Sequence, residues 1–297
     1  MDLSIVIVNW NTQDLLDQCL HSVYQHPPRN SFEIWVVDNA STDGSVRMVE
    51  QQYPQVRLIK SAENLGFARG NNLALEKCQG NYVFLLNPDT EVHPAAIDIL
   101  IEFLEAYPQA GVAGSTLLYA DGSLQTSSYP FPTLTREFWR LLHLDRWHAY
   151  GVYDQHHWDR CQPRKVDVVQ GAALLVRKAV LVQVGYFDPD YFMYTEEVDL
   201  CYRIHKAGWD LFWVPQSEIV HYEGQSTKQV PVEMFLQLNK TKLRFIRKHH
   251  GKIAGAIYKL ILGLTALPRI LFASDANPKK AEITRNYREL LRSLAEM

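Results

Sequence analysis

The chain has 297 residues, of which 47% are hydrophobic and 21% charged, and its formal net charge is −3. This composition is that of an ordinary soluble globular protein, and the length allows one large α/β domain or two modest ones. The four cysteines are widely scattered without CxxC spacing, which argues against a zinc site or a disulfide framework and for a reducing compartment.

The charge is unevenly distributed along the chain. Residues 240–297 carry 13 Lys and Arg against 4 Asp and Glu, whereas the preceding residues carry 17 basic and 29 acidic side chains. A basic tail after an acidic body predicts an anionic partner, such as a membrane surface, for residues 240–273. The alternative is a solvated helix face. No nucleic-acid partner is expected.

Strand and helix patterns alternate from residue 3 to about residue 118. The apolar runs LSIVIVN, FEIWVV, VRLI and NYVFLL predict four buried strands. Helical spacing lies between them in TQDLLDQCLHSVYQ, SVRMVEQQY and ARGNNLALEKC, with Thr12 predicted as an N-cap. The repetition predicts a parallel sheet with helices on both faces. Ligands of such sheets bind beyond the carboxyl ends of the strands, where Asn9, Asp38 and Asp89 fall.

The second half of the chain is less regular. YADGS predicts a hairpin turn, and residues 128–165, rich in aromatic residues and histidine, have no clear periodicity. EEVDLCYRIHKAGW then predicts a helix, DLFWVP and EIVHYE two short strands, and the pattern from Val232 onward is helical.

Two donor-side clusters follow predicted strands. In VVDNASTDGS, Asp38 ends a buried strand and can accept hydrogen bonds from a ribose or a base edge, whereas a turn or helix cap explains Asp43. In NLGFARGNN, Asn64, Gly66 and Arg69 suit contacts to a nucleotide or its phosphates. The alternative for the second cluster is a plain loop with a helix cap.

A third cluster, NPD, follows the fourth strand. Asp89 at a strand terminus suits a hard cation such as Mg²⁺ or Mn²⁺, and Pro88 stiffens the turn after Asn87. One carboxylate makes a weak metal site, so a second ligand must come from elsewhere. His221, at the end of a later predicted strand, is a structural residue unless the fold brings it next to Asp89.

The fourth cluster crowds three acids at a helix start. Glu196, Glu197 and Asp199 exceed what a helix cap requires, and a general base acting on a hydroxyl is the functional interpretation.

In this combination and order, the motifs resemble those of glycosyltransferase family 2, which has the GT-A fold, and most closely its bacterial rhamnosyltransferase-like branch. The resemblance spans roughly residues 3–250. It implies that SIVIVNWN, VVDNASTDGS and NLGFARGNN bind the donor nucleotide, and that NPD stands at the metal motif. It also places YTEEVDLCYR at the catalytic motif, with Glu197 in register with the base and Asp199 as a rival, and suggests that His221 can join the metal.

The resemblance implies an inverting, metal-dependent sugar transfer from a dTDP- or UDP-linked donor to a glycan or lipid-linked acceptor. It predicts a GT-A catalytic domain over residues 1–230, with a donor half to about residue 118 and an acceptor half beyond it, and a basic, amphipathic helical segment over 231–297. The expected location is cytoplasmic, peripheral on the inner face of the membrane. Whether the chain forms a homodimer is left open.

Two departures from the family pattern keep a second function open. The metal motif has Asn87 in place of a first aspartate, and the catalytic pair is Glu-Glu rather than Glu-Asp. A catalytically silent sugar- or nucleotide-binding module is therefore the alternative. A nucleotidyltransferase or a dehydrogenase is disfavoured because NWNTQDLL lacks the glycine-rich loop that either enzyme needs after its first strand.

Overall fold

The structure is a computed structural model that describes residues 1–222, 231–271, 278–295 and 297. The strands within these ranges are β1 Leu3–Asn9, β2 Phe32–Asp38, β3 Arg57–Lys60, β4 Tyr82–Leu86, β5 Thr90–Val92, β6 Ala110–Leu118, β7 Leu124–Gln125, β8 Ser128–Tyr129, β9 Arg164–Lys165, β10 Val168–Val169, β11 Ala173–Arg177 and β12 Asp210–His221. The α-helices are α1 Gln13–Gln25, α2 Ser45–Gln52, α3 Gly66–Leu75, α4 Ala96–Ala106, α5 Leu134–Leu141, α6 Lys178–Val184, α7 Glu196–Lys206, α8 Pro231–His250, α9 Lys252–Leu271 and α10 Pro278–Ser293.

The central sheet has the strand order β3-β2-β1-β4-β11-β6-β12-β5. The first four strands are parallel, β11 runs antiparallel between β4 and β6, β12 is parallel to β6, and β5 closes the edge antiparallel to β12. This arrangement confirms the predicted mostly parallel sheet and the GT-A fold class.

The predicted strands of the first half form because they are apolar on both faces. Every residue of β1 is buried, and so are all residues of β2 except Phe32. The apolar stripe of α1, which includes Leu16, Cys19 and Leu20, packs in the same core, in which side chains are almost fully removed from water. The carboxyl ends of β1, β2 and β4 therefore meet at one edge of a rigid sheet.

The structure joins two predicted strands into one. The segments DLFWVP and EIVHYE were expected to be separate, but β12 runs unbroken from Asp210 to His221. Its pairing with β6 shifts in register between Val214 and Glu218, and Pro215, which has no N–H to donate, lies in that irregularity. The bulge lets one long strand carry His221 to the edge where β4 ends.

The described residues divide into two compact units. One contains Met1–Phe131, Asp154–Phe192 and the described residues from Glu196 to Tyr222, and it holds the whole sheet. The other contains Pro132–Tyr153, Met193–Thr195 and the described residues from 231 onward. Residues 132–153 thus group with the C-terminal helices rather than with the predicted acceptor half.

The helical unit is built around a buried carboxylate on α5. Glu137 Oε2 pairs with Arg140 at 2.8 Å, Glu137 Oε1 lies 3.4 Å from Lys242 Nζ of α8, and the Tyr258 hydroxyl of α9 donates to Oε2 at 3.3 Å. Burial favours the neutral acid, but the two cations outweigh it and lower the pKa of Glu137 to about 2. This network is the physical reason that α5 belongs with α8 and α9.

Among the described helices, α9 alone is long and apolar enough, by length and composition, to cross a membrane. The helix includes Lys259 near its middle, and 28% of its most apolar 18-residue window is buried.

Candidate active site

Asn9 and Asp38 end neighbouring parallel strands as register partners. Asn9 Nδ2 donates to Asp38 Oδ1 at 3.2 Å, and the Ser41 backbone N–H donates to Asp38 Oδ2 at 3.0 Å. Both side chains are buried. These bonds hold the carboxylate in one orientation and leave lone pairs on both oxygens that can accept from a bound ligand.

Thr12 occupies the predicted N-cap position of α1, but its side chain makes no capping bond. The hydroxyl instead donates to Asn9 Oδ1 at 2.7 Å and so fixes the Asn9 amide. The Gln13 N–H, at the start of α1, is satisfied by Asp43 Oδ2 at 2.8 Å. The predicted N-cap position of Thr12 is therefore confirmed, and Asp43 supplies the side-chain acceptor from the neighbouring loop.

Asp43 closes a local turn as well. Its Oδ1 accepts from the N–H and the hydroxyl of Ser45, at 3.1 and 2.6 Å. Partial burial opposes ionisation, but these bonds and the Gln13 N–H outweigh it and lower the pKa of Asp43. The structure gives Asp43 a capping role and leaves Asp38 as the acid that faces the edge of the sheet.

Asn64 and Gly66 form a tight turn at the start of α3. Gly66 has a φ of 75°, its N–H donates to Asn64 Oδ1 at 2.9 Å, and its carbonyl accepts from Asn39 Nδ2 at 2.9 Å. A Cβ at residue 66 would stand 2.1 Å from the carbonyl oxygen of Phe192, so only glycine fits. The turn packs directly on the segment that leads to the acids of α7.

Arg69 makes a second connection to that segment. The side chain is exposed, and its Nε donates to the carbonyl of Pro189 at 2.8 Å. The structure brings Arg69 near the donor-side turn, and its predicted role in binding phosphates stays a prediction.

His221 and Asp89 come together because β5 and β12 pair. His221 is the register partner of Thr90, the residue after Asp89. His221 Nε2 lies 3.4 Å from Asp89 Oδ1, and both side chains are more than nine-tenths buried. The sequence predicted a functional role for His221 only if the fold brought it next to Asp89, and the fold does so.

The other ring nitrogen of His221 is held by a residue that sequence reasoning missed. Nδ1 lies 2.8 Å from Oε1 of Gln125, a buried residue of β7. An amide oxygen only accepts, so Nδ1 carries a hydrogen, and Nε2 is the ring nitrogen that lies towards Asp89. Gln125 lies in no recognised motif, and its position beside His221 depends on the pairing of β7 and β12 with β6.

Asn87 completes this group. Its Nδ2 lies 3.5 Å from His221 Nε2, and its Oδ1 is buried with no hydrogen-bond partner among the described residues. A buried amide oxygen without a partner is costly unless something binds it. Asn87 Oδ1, Asp89 Oδ1 and His221 Nε2 thus form an oxygen and nitrogen donor set that fits a small divalent cation.

The protein supplies only part of a coordination shell. Within the described residues, no three His, Cys, Asp or Glu side chains are grouped so that they could hold a metal ion. Two ligands in an octahedral Mg²⁺ shell stand about 3 Å apart, which is close to the Asp89–His221 separation. Such a cation would need further ligands from a bound molecule, which is the usual arrangement for Mg²⁺ with phosphates.

The three acids of α7 lie in different environments. Glu196 is buried, its Oε2 has no hydrogen-bond partner among the described residues, and burial and the nearby Glu197 raise its pKa well above the usual value. Glu197 is half-buried. Asp199 is fully buried and pairs with Arg203 at 2.8 Å.

Arg203 gives Asp199 a structural role. Its guanidinium also donates to the carbonyls of Val184, Gly185 and Tyr186, at 2.7 to 2.9 Å. The pair therefore fastens α7 to the end of α6. Of the three acids, Glu197 is the half-buried one.

A short backbone path connects Glu197 with the NPD turn. The Asn87 N–H donates to the carbonyl of Ala172 at 3.0 Å. At the adjacent residue, a Cβ added to Gly171 would lie 3.5 Å from Glu197 Cβ and 3.6 Å from the Phe67 ring. Two consecutive residues, Gly171 and Ala172, thus make the Glu197 contact and the Asn87 contact. Gly171 is not among the site residues that the sequence predicted.

The family model described as Glycosyl transferase family 2 matches residues 4–180. The chain belongs to glycosyltransferase family 2. The match covers β1 to α6, and thus the Asn9–Asp38 edge and the NPD turn of this family member.

Curated relatives of this glycosyltransferase carry more specific names. The N-acetylglucosaminyl-diphospho-decaprenol L-rhamnosyltransferase of Mycobacterium tuberculosis is 31% identical over 262 residues, which cover 84% of this chain and 85% of the relative. The rhamnosyltransferase WbbL of Escherichia coli is 26% identical over 258 residues, covering 82% and 92%. The predicted likeness to the rhamnosyltransferases is confirmed.

Among solved structures, the mannosyltransferase PcManGT of Pyrobaculum calidifontis, in complex with GDP-Man and Mn²⁺, superimposes with a TM-score of 0.60 at 17% identity. The alignment covers 99% of this chain and 84% of that one. At this identity the likeness establishes the fold, which is the GT-A fold of a glycosyltransferase.

Proposed function

We propose that this glycosyltransferase moves a sugar, rhamnose, from a nucleotide diphosphate donor to a hydroxyl of a growing lipid-linked cell-surface glycan, with inversion at the anomeric carbon. The observation that carries the proposal is the convergence of Asp89 and His221 at 3.4 Å beside Asn87, with a short backbone path to Glu197. This arrangement supports a cation site on the phosphate side of the donor with a general base nearby.

The donor nucleotide binds at the ends of β1 and β2. The fixed carboxylate of Asp38 accepts from a base edge or a ribose hydroxyl, and Asn9 keeps that carboxylate oriented. The Asn64–Gly66 turn closes the same edge, and Arg69 supplies positive charge near the phosphates. The chemistry of these groups suits a dTDP- or UDP-linked donor.

Asp89, His221 and Asn87 would hold Mg²⁺ or Mn²⁺ in this site. The ion, when bound, neutralises negative charge that develops on the departing diphosphate. Its affinity depends on the tautomer of His221, which Gln125 sets, and on the orientation of Asp89 after the stiff Pro88 turn. A GT-A neighbour solved with Mn²⁺ supports the choice of metal.

Glu197 takes the proton of the acceptor hydroxyl while that oxygen attacks the anomeric carbon. A single displacement inverts the configuration, and it requires one carboxylate for proton transfer. Glu197 is favoured over Asp199 because the Asp199 carboxylate is committed to Arg203 in a fully buried pair. Glu196 is unsuited as a base because burial holds its proton in place.

The names of the relatives support the choice of sugar and acceptor. One is named for L-rhamnose transfer to a diphospho-decaprenol glycan and another as a rhamnosyltransferase. A lipid-linked acceptor places the reaction at a membrane, so the proposed location is the inner face of the cytoplasmic membrane. Binding without turnover, as in a silent module of the same fold, is the competing outcome.

A calorimetric titration of nucleotide sugars tests the proposal. We expect one donor of a panel that includes dTDP-rhamnose to bind in the presence of Mn²⁺ and to lose that metal dependence in Asp89→Ala. Asp121→Ala is the matched control, because Asp121 caps the exposed hairpin turn through Ser123 and should leave binding unchanged.

An assay of sugar transfer distinguishes an active glycosyltransferase from a catalytically silent binding module. Transfer to a lipid-linked acceptor should give a product whose anomeric configuration, measured by NMR coupling constants, is opposite to that of the donor. Donor binding that ignores both Mn²⁺ and Asp89 would contradict the site assignment. Binding without transfer to any acceptor would support the silent module.

A further inference from the structure

Helix α9 carries a continuous row of exposed aliphatic side chains. The row, which we term the α9 stripe, consists of Ile253, Ile257, Leu260, Leu264, Leu267 and Leu271, with exposed fractions of 80, 43, 61, 58, 46 and 73%. The residues follow one another at intervals of four and three, so they share one face along a helix about 30 Å long. Single exposed aliphatic residues are common, whereas a contiguous row marks an interaction surface.

The opposite face of α9 is already used. Its buried residues are Ala254, Gly255, Tyr258, Leu262, Thr265 and Ala266. The Tyr258 hydroxyl donates to the buried Glu137, and a Cβ at Gly255 would stand 2.3 Å from Arg247 Cγ, so α8 approaches closely there. These contacts fix the rotation of the helix about its axis, and the α9 stripe therefore faces away from the core of the helical unit.

The charged residues of α9 itself, and those of α8 after Glu233, are all basic. No Asp or Glu occurs between Glu233 and Asp275, whereas eight Lys and Arg do. Lys248, in the last turn of α8, and Lys252, at the start of α9, are exposed, and Lys259 is half-exposed near the middle of α9. An apolar row bordered by cations is complementary to a surface that is both apolar and anionic.

The same charge pattern disfavours a second copy of the chain as the occupant. Two α9 helices that paired through their stripes would bring like charges together, with no acid on either helix to offset them. Stable helix pairs place opposite charges beside the apolar seam. Phospholipid head groups supply the negative charge that this helix lacks.

The packing of α9 also determines how it meets a bilayer. Its length and composition would allow it to span one, but its buried face is fastened to Glu137 and Arg140 of α5 and to Lys242 of α8 through the Tyr258 contact. Drawing α9 across the hydrocarbon would expose these charged groups to lipid, which is costly. A helix with one apolar face and one docked face lies along the surface instead.

We propose that α9 lies in the interface of an anionic bilayer, with the α9 stripe inserted and Lys248, Lys252 and Lys259 against the head groups. This inference deepens the proposed function, because it specifies how the protein reaches the membrane. Only the purpose of membrane binding rests on the proposed function, since the binding itself needs neither donor nor acceptor. Immersing the stripe removes several aliphatic side chains from water, and each contributes roughly a tenfold or larger factor to partitioning when fully buried.

Co-sedimentation of the full chain with lipid vesicles tests the inference. We expect binding to vesicles that contain phosphatidylglycerol, weaker binding to pure phosphatidylcholine, and a decrease with added salt. The variant Leu260→Glu/Leu264→Glu should lower the partition coefficient by at least about a hundredfold. The matched control Val182→Glu/Ile283→Glu makes the same change at two exposed aliphatic residues outside α9 and should bind like the wild type.

Three results would overturn the inference. Equal vesicle binding by the α9 variant and the control would show that the stripe does not insert. A wild-type dimer in sedimentation velocity that the α9 variant converts to a monomer, without vesicle binding, would assign the stripe to a second copy. Resistance of the bound protein to carbonate extraction would mean that α9 spans the bilayer.

Transfer to a water-soluble acceptor analogue separates this inference from the proposed function. The α9 variant should retain wild-type transfer to that analogue while it loses vesicle binding. Thermal unfolding of both variants, followed by circular dichroism, should match the wild type because all four substituted side chains are exposed. Vesicle binding that survives in the absence of any transferase activity would leave the inference standing and remove the proposed function.

Discussion

The Gln125 amide oxygen lies 2.8 Å from Nδ1 of His221, and the opposite ring nitrogen of His221 lies 3.4 Å from Asp89 Oδ1. The three side chains form a line in which an amide orients an imidazole towards a carboxylate. A histidine that binds metal commonly has its second nitrogen held in this way, which fixes the tautomer and the ring orientation. The relationship joins β7, β12 and the NPD turn, which are far apart in the sequence.

Substitution of Gln125 should change metal affinity. We expect Gln125→Leu to weaken Mn²⁺ binding by about 10- to 100-fold, because the ring loses its fixed tautomer. Gln125→Glu should retain or strengthen binding, since a carboxylate holds the Nδ1 hydrogen more firmly. Calorimetry of Mn²⁺ with the nucleotide diphosphate present measures both effects, and nitrogen-15 NMR of His221 reports its tautomer.

Gln216→Leu is the control for Gln125→Leu. Gln216 is exposed and donates its amide N–H to the Cys161 carbonyl at 2.6 Å, outside the site. Unchanged Mn²⁺ affinity in Gln125→Leu, or a His221 that keeps its tautomer there, would contradict the positioning role.

Glu197→Gln should lower kcat by about 10²- to 10⁴-fold while donor affinity stays near that of the wild type, because a neutral amide takes no proton. Asp199→Asn should instead lower the melting temperature, since it leaves Arg203 without its buried partner. Steady-state kinetics and calorimetric donor titration on both variants make the comparison. A fully active Glu197→Gln beside an inactive but stably folded Asp199→Asn would reassign the base.

Glu196 should make stability depend on pH in one direction. Burial and the neighbouring Glu197 raise the pKa of Glu196 well above 4.5. The stability that the protonated Glu196 contributes is therefore complete below the unfolded-state pKa and is lost as the pH rises towards the folded-state pKa. Glu196→Gln removes this loss while keeping the shape of the side chain. Its melting temperature should therefore exceed that of the wild type at neutral and alkaline pH, by about 2–4 °C for each kcal/mol recovered.

The difference for Glu196→Gln should shrink as the pH approaches 4.5, the ordinary pKa of a glutamate side chain. Differential scanning fluorimetry across a pH series measures it, with Glu105→Gln on an exposed turn of α4 as the control. A variant that gains no stability at alkaline pH would show that Glu196 is ionised in the folded chain.

Glu137 should give the opposite dependence of folding stability on pH. Burial opposes its ionisation, yet Lys242 and Arg140 lower its pKa to about 2, so the stability it contributes is present above pH 4.5 and is lost as the pH falls towards 2. A shift of this size corresponds to roughly 3 kcal/mol. Glu137→Gln should lose a similar amount at neutral pH, because two partly buried cations lose their partner.

Urea unfolding at neutral and acidic pH tests the Glu137 prediction. The wild type and Glu137→Gln should differ strongly at neutral pH and converge near pH 2, where the wild-type carboxyl is also protonated. Glu289→Gln is the control, since Glu289 forms an ion pair with Arg292 in which the arginine side chain is 74% exposed. An equal difference at both pH values would mean that packing rather than charge stabilises this unit.

The order and type of most elements of the catalytic part follow from the sequence alone, because helix and strand periods are local properties. Uninterrupted apolar runs gave β1, β2 and β4, and the polar residues that end them gave Asn9, Asp38 and Asp89 as site candidates. The predicted break in β12 was wrong. Local sequence rules end a strand at a proline, but β12 continues through Pro215 by means of a bulge.

The tertiary structure alone decided what lies beside these residues. The pairing of β5 with β12 brings His221 to Asp89, Gln125 reaches His221 through β6, and Gly171 places Glu197 near the NPD turn. The fold likewise selected which face of α9 stays exposed, by packing Tyr258 against a carboxylate of α5. Apart from the approach of Gly171 to Glu197, these contacts join residues at least 96 positions apart. They depend on strand order and register, which the spacing of apolar residues does not encode.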